Sequence, residues 1–448
     1  MAAINIIRRS IACFIIIGIL ITYRLLVEAH SQPDNQKAPS PEKKKPVETR
    51  GLNLKQAIEL AEIVNLDVLF SQERVREAAG ISKTARSELL PKITSLSSAT
   101  RQQRNSTEFG LTEEMPFVSP KTIGPYDLYD AGVTVRMPLI NIQSIQNWRA
   151  ALANQKLSQE ELSSVREEAR TLVASLYFEA LRNQEALKAA EANVTRNEHL
   201  LTLAQDSKNV GSGTDLDVTR AEVQLSTARE QLESYRIEAD RSLLELTNAL
   251  GIDFDRTLKL LEELPFPATD PIALEAALEL AFKQRPDLTA QYQRELMMLR
   301  KKDAAIAGRM PAVDVFGKYA GSSQEVDNLS EVWAIGVQIT LPIWDSFKIS
   351  GEIEQSKSQL AQTQNRTLKL KRDIEAQIRI SLEELRSRKR QVEVAQETER
   401  LTEKELKLAE DRYKAGIGTN NEVVIIQAQL AESEFRVIEN LYLYNISR

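Results

Sequence analysis

The sequence predicts a mainly α-helical protein with a small β part, written as two tandem copies of one unit. Its 448 residues include only 16 Gly, 15 Pro and 5% aromatics, few for an all-β chain of this length. Two runs, Leu139 to Val210 and Glu352 to Ala415, hold neither Gly nor Pro, so no strong helix breaker interrupts them. Short segments also recur in the same order along the chain, the mark of an internal repeat.

The duplication is readable in four places. Ala57-Ile-Glu-Leu-Ala-Glu and Asn65-Leu66-Asp67 return as Ala277-Leu-Glu-Leu-Ala-Phe and Arg285-Pro286-Asp287, and Leu90-Pro91 returns as Met310-Pro311, all at an offset of 220. GVTVRMP at 132–138 matches GVQITLP at 336–342 at an offset of 204, and GSGTDLDV at 211–218 matches GIGTNNEV at 416–423 at 205. The copies run over 52–251 and 272–448, with a shorter connection between the strands of the second.

Each copy reads helix, strand, loop, strand, very long helix, glycine turn, helix. A single helix from Ile142 to Lys208 would be about 100 Å long at ~1.5 Å per residue. Its apolar residues step by three and four, as at Leu162, Val165, Ala169, Leu172 and Leu176, and Ile378, Leu382, Leu385 and Val392 repeat the pattern in the second copy. That is a coiled-coil seam. Glycine turns at 211–213 and 416–418 fold each long helix back on a shorter one, 214–250 and 419–448, so each copy makes one antiparallel hairpin.

The strands alternate. Trp333, Ile335, Val337, Ile339 and Leu341 share one face, with Ala334, Gly336, Gln338 and Thr340 on the other. Because 204 is even, Val133, Val135, Met137 and Leu139 take the same apolar face, opposite Asp130, Gly132, Thr134 and Arg136. Apolar outside and polar inside is how a barrel strand meets lipid. The strand after Pro311 alternates less cleanly (Val313, Val315 and Tyr319 against Asp314 and Lys318), and the one after Pro91 is the weakest. Tyr126, Tyr129, Tyr319, Trp333 and Trp344 fall near the rims, where either an interfacial girdle or ordinary packing accounts for them. An open sheet edge in lipid would leave backbone groups without partners, and four strands are too few to close. At least two copies must share one barrel, and three would give a wider, water-filled one.

The N-terminus carries Arg8 and Arg9, an apolar stretch from Ile11 to Tyr23, and small side chains at Val27 and Ala29, which reads as a secretory signal over 1–29. An uncleaved anchor is the alternative, because Arg24 interrupts the run. Residues 30–51 are rich in Pro and charge and read as a disordered linker. The only cysteine, Cys13, lies in the leader, and His30 and His199 are the only histidines, so no metal, haem or disulfide framework is implied and no cofactor is expected. A net charge of −6 argues against nucleic acid as a partner. No catalytic constellation stands out, and the chain reads as a non-enzyme. Beyond the leader no stretch reaches the ~18 apolar residues of a membrane helix, so a crossing must be made by strands.

Together these features resemble the TolC-like outer membrane efflux protein family over 52–448. The most specific segments are NVGSGTDLDV at 209–218, RYKAGIGTNNEV at 412–423 and the two GxxxxxP strand ends. The resemblance implies a homotrimer in the cell outer membrane, each protomer giving four strands to a shared 12-stranded β-barrel and its helices to a tunnel through the periplasm. It implies that Val210, Gly211, Ser212, Gly213 and Thr214, with Ala415, Gly416, Ile417, Gly418 and Thr419, form tip turns that dock a periplasmic adaptor, or membrane fusion protein, serving an inner-membrane transporter. Glu422 matches a position in a ring of carboxylates that sets selectivity, and Tyr413 a tyrosine that helps hold the tip closed. Ile425 stands where the best-known member has a second ring aspartate and Gly418 where it has a gating arginine, so a less tightly closed tip is expected. The chain also stops at Arg448, before a counterpart of Gly251, which implies that an equatorial segment of longer members is missing.

Local chemistry offers plainer duties for some of these residues. Thr419-Asn-Asn-Glu422 fits a capping box, which is the first duty assigned to Glu422; its charge still points at whatever passes the tip. Asp215 and Asp217 are either first-turn acids favoured by the helix dipole or members of the acidic ring. The turn glycines suit any tight hairpin, and His199 reads as a surface residue. The function expected is a passive exit duct for a tripartite efflux or type I secretion system. A periplasmic adaptor or a coiled-coil scaffold is the alternative; the duplication argues against the first and the matched strand parity against the second.

Overall fold

A computed structural model of the chain describes residues 51–105, 122–252, 254, 258–267 and 272–448. The expected signal segment, and the linker apart from residue 51, lie outside the described residues. The same order of elements occurs twice. The first half comprises β1 (Gly51–Leu52), α1 (Leu54–Val64), α2 (Leu66–Ser87), β2 (Lys92–Asn105), β3 (Thr122–Ile140), α3 (Ile142–Asn209) and α4 (Asp215–Ala249). The second comprises β4 (Lys259–Leu260), α5 (Leu274–Gln284), α6 (Pro286–Ala307), β5 (Ala312–Ser323), β6 (Ser330–Thr340), α7 (Lys348–Lys414) and α8 (Asn420–Ser447).

A polar side chain between strand and helix accepts a first-turn N–H of each long helix. Asn141 accepts the Ser144 N–H at 2.9 Å, and its counterpart 204 residues on, Asp345, accepts the Ile349 N–H at 2.7 Å. With 68 and 67 residues, α3 and α7 are each about 100 Å long. Among the described residues no helix is long and apolar enough to cross a membrane.

β2, β3, β5 and β6 form one antiparallel sheet in that order. Its register aligns Ile93, Val135, Gly317 and Ile335 in one row and Ser95, Val133, Tyr319 and Trp333 in the next. This face stays bare although it is apolar: Ile93 is 71% exposed and Ile335 75%. The opposite face carries Thr94, Thr134 and Lys318, and Ser98, Asp130 and Ser322, with Lys318 3.3 Å from Asp130. The repeated glycines belong to the polar face, where a Cβ on Gly132 would meet that of Ala320 at 2.4 Å and one on Gly336 would meet the Phe316 ring at 2.8 Å.

β2 is a full 14-residue strand despite its weak signal. Ile93 and Leu96 sit on opposite faces, so it shows no clean alternation, and it is β3 that holds it in register along its length. The girdle expectation needs one correction. Tyr126 pairs with Gln102 on the polar face and accepts its Nε2–H at 3.0 Å, so it cannot belong to an apolar outer band. Trp333, Tyr319 and Trp344 are exposed, and Trp344 meets Phe347 edge to face at 5.4 Å.

Below the sheet α2 and α6 pack on α3, α6 packs on α7, and further along α4 packs on α3 and α8 on α7. Midway, Ala57, Ala61, Val173, Tyr177, Ala180, Leu181, Leu246, Leu250 and Leu260 form a core in which the parallel pair β1 and β4 is embedded. The Tyr177 hydroxyl lies 3.1 Å from both the Leu52 carbonyl and Glu262. Burial, then the Glu262 carboxylate, pushes its pKa up. The seam therefore runs through Ala169, Val173 and Tyr177, and Leu172, expected on it, is exposed. One residue turns a helix by about 100°, enough to carry Leu172 off the packed face.

Candidate functional site at the hairpin ends

The two hairpin turns are built alike. After α3, Gly211 adopts φ +81, and Ser212 and Gly213 both donate their N–H to the Ser207 carbonyl at 2.9 Å. After α7, Gly416 adopts φ +74, and Ile417 and Gly418 donate to the Arg412 carbonyl at 3.0 and 3.1 Å. Gly211 and Gly416 supply the left-handed residue of a helix C-cap. Gly213 and Gly418 serve a different need, close approach: a Cβ would lie 2.9 Å from the Lys208 nitrogen in one and 3.0 Å from the Tyr413 nitrogen in the other. Gly418 thus has a structural reason to be glycine. Val210 and Ile417, at 79% and 71% exposure, leave apolar side chains bare at the ends.

The carboxylates are engaged within the chain. Thr214 and Asp217 form a complete capping box, with the Thr214 N–H donating to Asp217 at 3.0 Å and the Asp217 N–H to Thr214 Oγ1 at 3.2 Å. Asp215 pairs with Lys208 at 2.5 Å. Thr419 accepts the Glu422 N–H at 3.3 Å, but the Glu422 carboxylate turns to Arg412, also at 3.3 Å. The box expected at Thr419 is therefore half made, because the guanidinium competes for the carboxylate that would have closed it. Ile425 is exposed.

Tyr413 is buried with Leu200, Ala204, Ala221, Leu406, Ala409, Val423, Ile426 and Leu430, a cluster drawn from both hairpins. Next to it lies a residue that sequence reasoning missed. Asn420 is 2% exposed and donates from Nδ2 to the Asp217 carbonyl at 3.0 Å, joining α8 to α4. Its repeat counterpart, Asp215, is exposed, and no local pattern distinguishes the two.

Along the hairpins α4 packs on α3, α3 on α8 and α8 on α7, so α4 and α7 lie at the ends of the row. Both expose apolar residues at heptad spacing: Leu216, Val223, Ile237 and Leu244 on α4, and Ile380, Val394, Leu401 and Leu408 on α7. Among the described residues no group of three or more His, Cys, Asp or Glu is placed to hold a metal, and His199 is exposed.

A sheet bare on its apolar face, continued by paired hairpins longer than a bilayer is thick, is the fold of an outer membrane channel protomer. The family model described as outer membrane efflux protein matches residues 57–252 and 277–448. The chain belongs to this family of outer membrane efflux proteins. It is 26% identical over 295 residues, 65% of its own length and 59% of the relative's, to the probable efflux pump outer membrane protein SepC of Pseudomonas putida. It is 23% identical over 225 residues, 49% of its length and 47% of the relative's, to the alkaline protease secretion protein AprF of Pseudomonas aeruginosa. The chain thus spans less than two thirds of the length of these curated relatives. The Campylobacter jejuni CmeC outer membrane channel shares the fold with a TM-score of 0.77 at 17% identity, over 88% of this chain and 83% of that one.

Proposed function

We propose that this chain is the exit duct of a tripartite efflux or type I secretion system, conducting passively what an inner-membrane transporter delivers through a periplasmic adaptor. The observation that carries the reading is the four-stranded sheet with an exposed apolar face and, among the described residues, two unpaired edges, β2 and β6. In lipid those edges need partners. Because the strands alternate in direction, β6 of one copy runs antiparallel to β2 of the next. Three copies give 12 strands and an open bore, whereas two would give eight, which side chains nearly fill. The heptad seams on α4 and α7 supply matching flanks for the helices of a homotrimer.

The repeated turns, residues 210–214 and 415–419, are the adaptor-docking surface in this reading, with Val210 and Ile417 as its apolar contacts. Asp215, Asp217 and Glu422 set the charge at the tip, and Tyr413 belongs to its gate. The adaptor alternative has no use for a lipid-facing sheet. Purifying residues 30–448 from outer membranes in mild detergent and measuring oligomer mass and single-channel conductance tests the proposal. A conducting trimer supports it; a monomer that stays soluble without detergent overturns it.

A further inference from the structure

We infer that Asn420 is the residue that positions the gate: an uncharged clasp between the two hairpins that holds the tip in its closed setting. The inference rests on the channel reading above. Asn420 is the first residue of α8, a place where an amide is normally wetted, yet it is 98% buried because its side chain crosses to the other hairpin. What it grips is rigid. The Asp217 carbonyl belongs to a first turn locked by the Thr214–Asp217 capping box, so the bond sets α8 against α4.

The surroundings are poised between two arrangements. Among the described residues the Asn420 Oδ1, the Tyr413 hydroxyl and the Gln427 Nε2 have no hydrogen-bond partner, and all three residues are more than nine-tenths buried. Asn420 and Gln427 are seven residues apart, on one face of α8 with Val423 and Leu430. Buried polar atoms without partners disfavour the arrangement that hides them. Hairpins that separate let water reach all three, so one amide-to-carbonyl bond and the apolar cluster oppose a standing bias toward opening. The ion pairs at the same ends, Lys208–Asp215 and Arg412–Glu422, each lie within one hairpin and do not hold the two together.

The test is single-channel recording of the full-length oligomer carrying Asn420→Val, Asn420→Asp or, as a control on the same helix, Glu432→Gln at an exposed ion pair with Arg436. Losing the clasp should raise the open-to-closed ratio about fivefold per protomer, the factor expected for one net hydrogen bond of about 1 kcal/mol. Asn420→Val removes a half-satisfied buried amide, so its thermal midpoint should hold or rise while it leaks, which a merely structural role would not produce. Asn420→Asp keeps the volume but presents only acceptors to the Asp217 carbonyl; it should leak too, and decides the matter if the valine variant does not assemble. Glu432→Gln should gate as wild type. If wild type conducts and both Asn420 variants gate like it, the clasp is wrong; if wild type does not conduct, the channel reading itself fails.

Discussion

Arg196 on α3 grips Glu434 on α8 through two hydrogen bonds of 2.9 and 2.6 Å, joining the long helix of the first repeat to the return helix of the second. Both side chains are largely shielded, at 24% and 20% exposure. Burial, followed by Glu434 and Glu403, pushes the neighbouring Glu399 pKa up. Glu434→Gln should cost up to about 1.5–3 kcal/mol, the range for hydrogen bonds to a charged group. Glu397→Gln, at an exposed pair with Arg400, should leave the unfolding midpoint unchanged. Thermal unfolding of the detergent-solubilised oligomer, followed by circular dichroism, compares them.

The two faces of the sheet should respond oppositely. Ile335→Arg places a charge on the bare apolar face and should cost about 2–4 kcal/mol if it sits near the bilayer midplane, seen as loss of folded oligomer in lipid vesicles. Lys318→Gln, on the polar face, should assemble normally and shift ion selectivity toward cations by leaving Asp130 without its partner. Equal loss of folding in both would mean that the sheet is not two-sided in the membrane.

Leu401→Asp and Ile237→Asp each put a charge into one of the exposed heptad seams. If α7 of one protomer packs on α4 of the next, either change should shift the oligomer toward monomer by mass measurement in mild detergent. Glu230 already places a carboxylate in the α4 seam, so Glu230→Asp keeps the charge and that variant should remain assembled.

At the tip, Glu422→Gln releases Arg412 and removes one negative charge per protomer, so cation selectivity in planar bilayers should fall. Asp217→Asn should lower it less, because that carboxylate is turned into its own capping box. Selectivity unchanged in both variants would remove the acidic ring from the proposal.

Two pH limbs should be separable. Burial pushes Asp287 up, but hydrogen bonds and charge from Arg285, with the Leu288 N–H, outweigh it and leave the pKa below its usual value. Its stabilisation is present above the unfolded value near 4 and lost as pH falls through the folded one, so Asp287→Asn should flatten the acid limb of a midpoint-against-pH curve. Tyr177, raised by burial and Glu262, stabilises fully below its unfolded pKa near 10, and that contribution fades as pH rises beyond it. Tyr177→Phe should remove this alkaline limb while costing about 1 kcal/mol at neutral pH through the lost hydroxyl contacts.

The sequence by itself determined what depends on short periods. Breaker-free runs specified α3 almost to the residue and α7 except for its first turn, which runs back through Gly351 to Lys348; paired glycines specified both turns, and an even offset specified which face of β3 and β6 would be apolar. Runs, turns and alternation are properties of neighbouring residues, set by strand and helix geometry, and the repeat carries the alternation from one copy to the other. Tertiary structure alone decided what depends on residues far apart. It made a strand of Lys92–Asn105 because β3 paired with it, drew Glu422 away from its cap because Arg412 came within reach, and moved the buried seam from Leu172 to Val173 and Tyr177. It also buried Asn420 while exposing its repeat counterpart Asp215, because Asn420 meets a carbonyl 203 residues away, a distance at which no local pattern carries information.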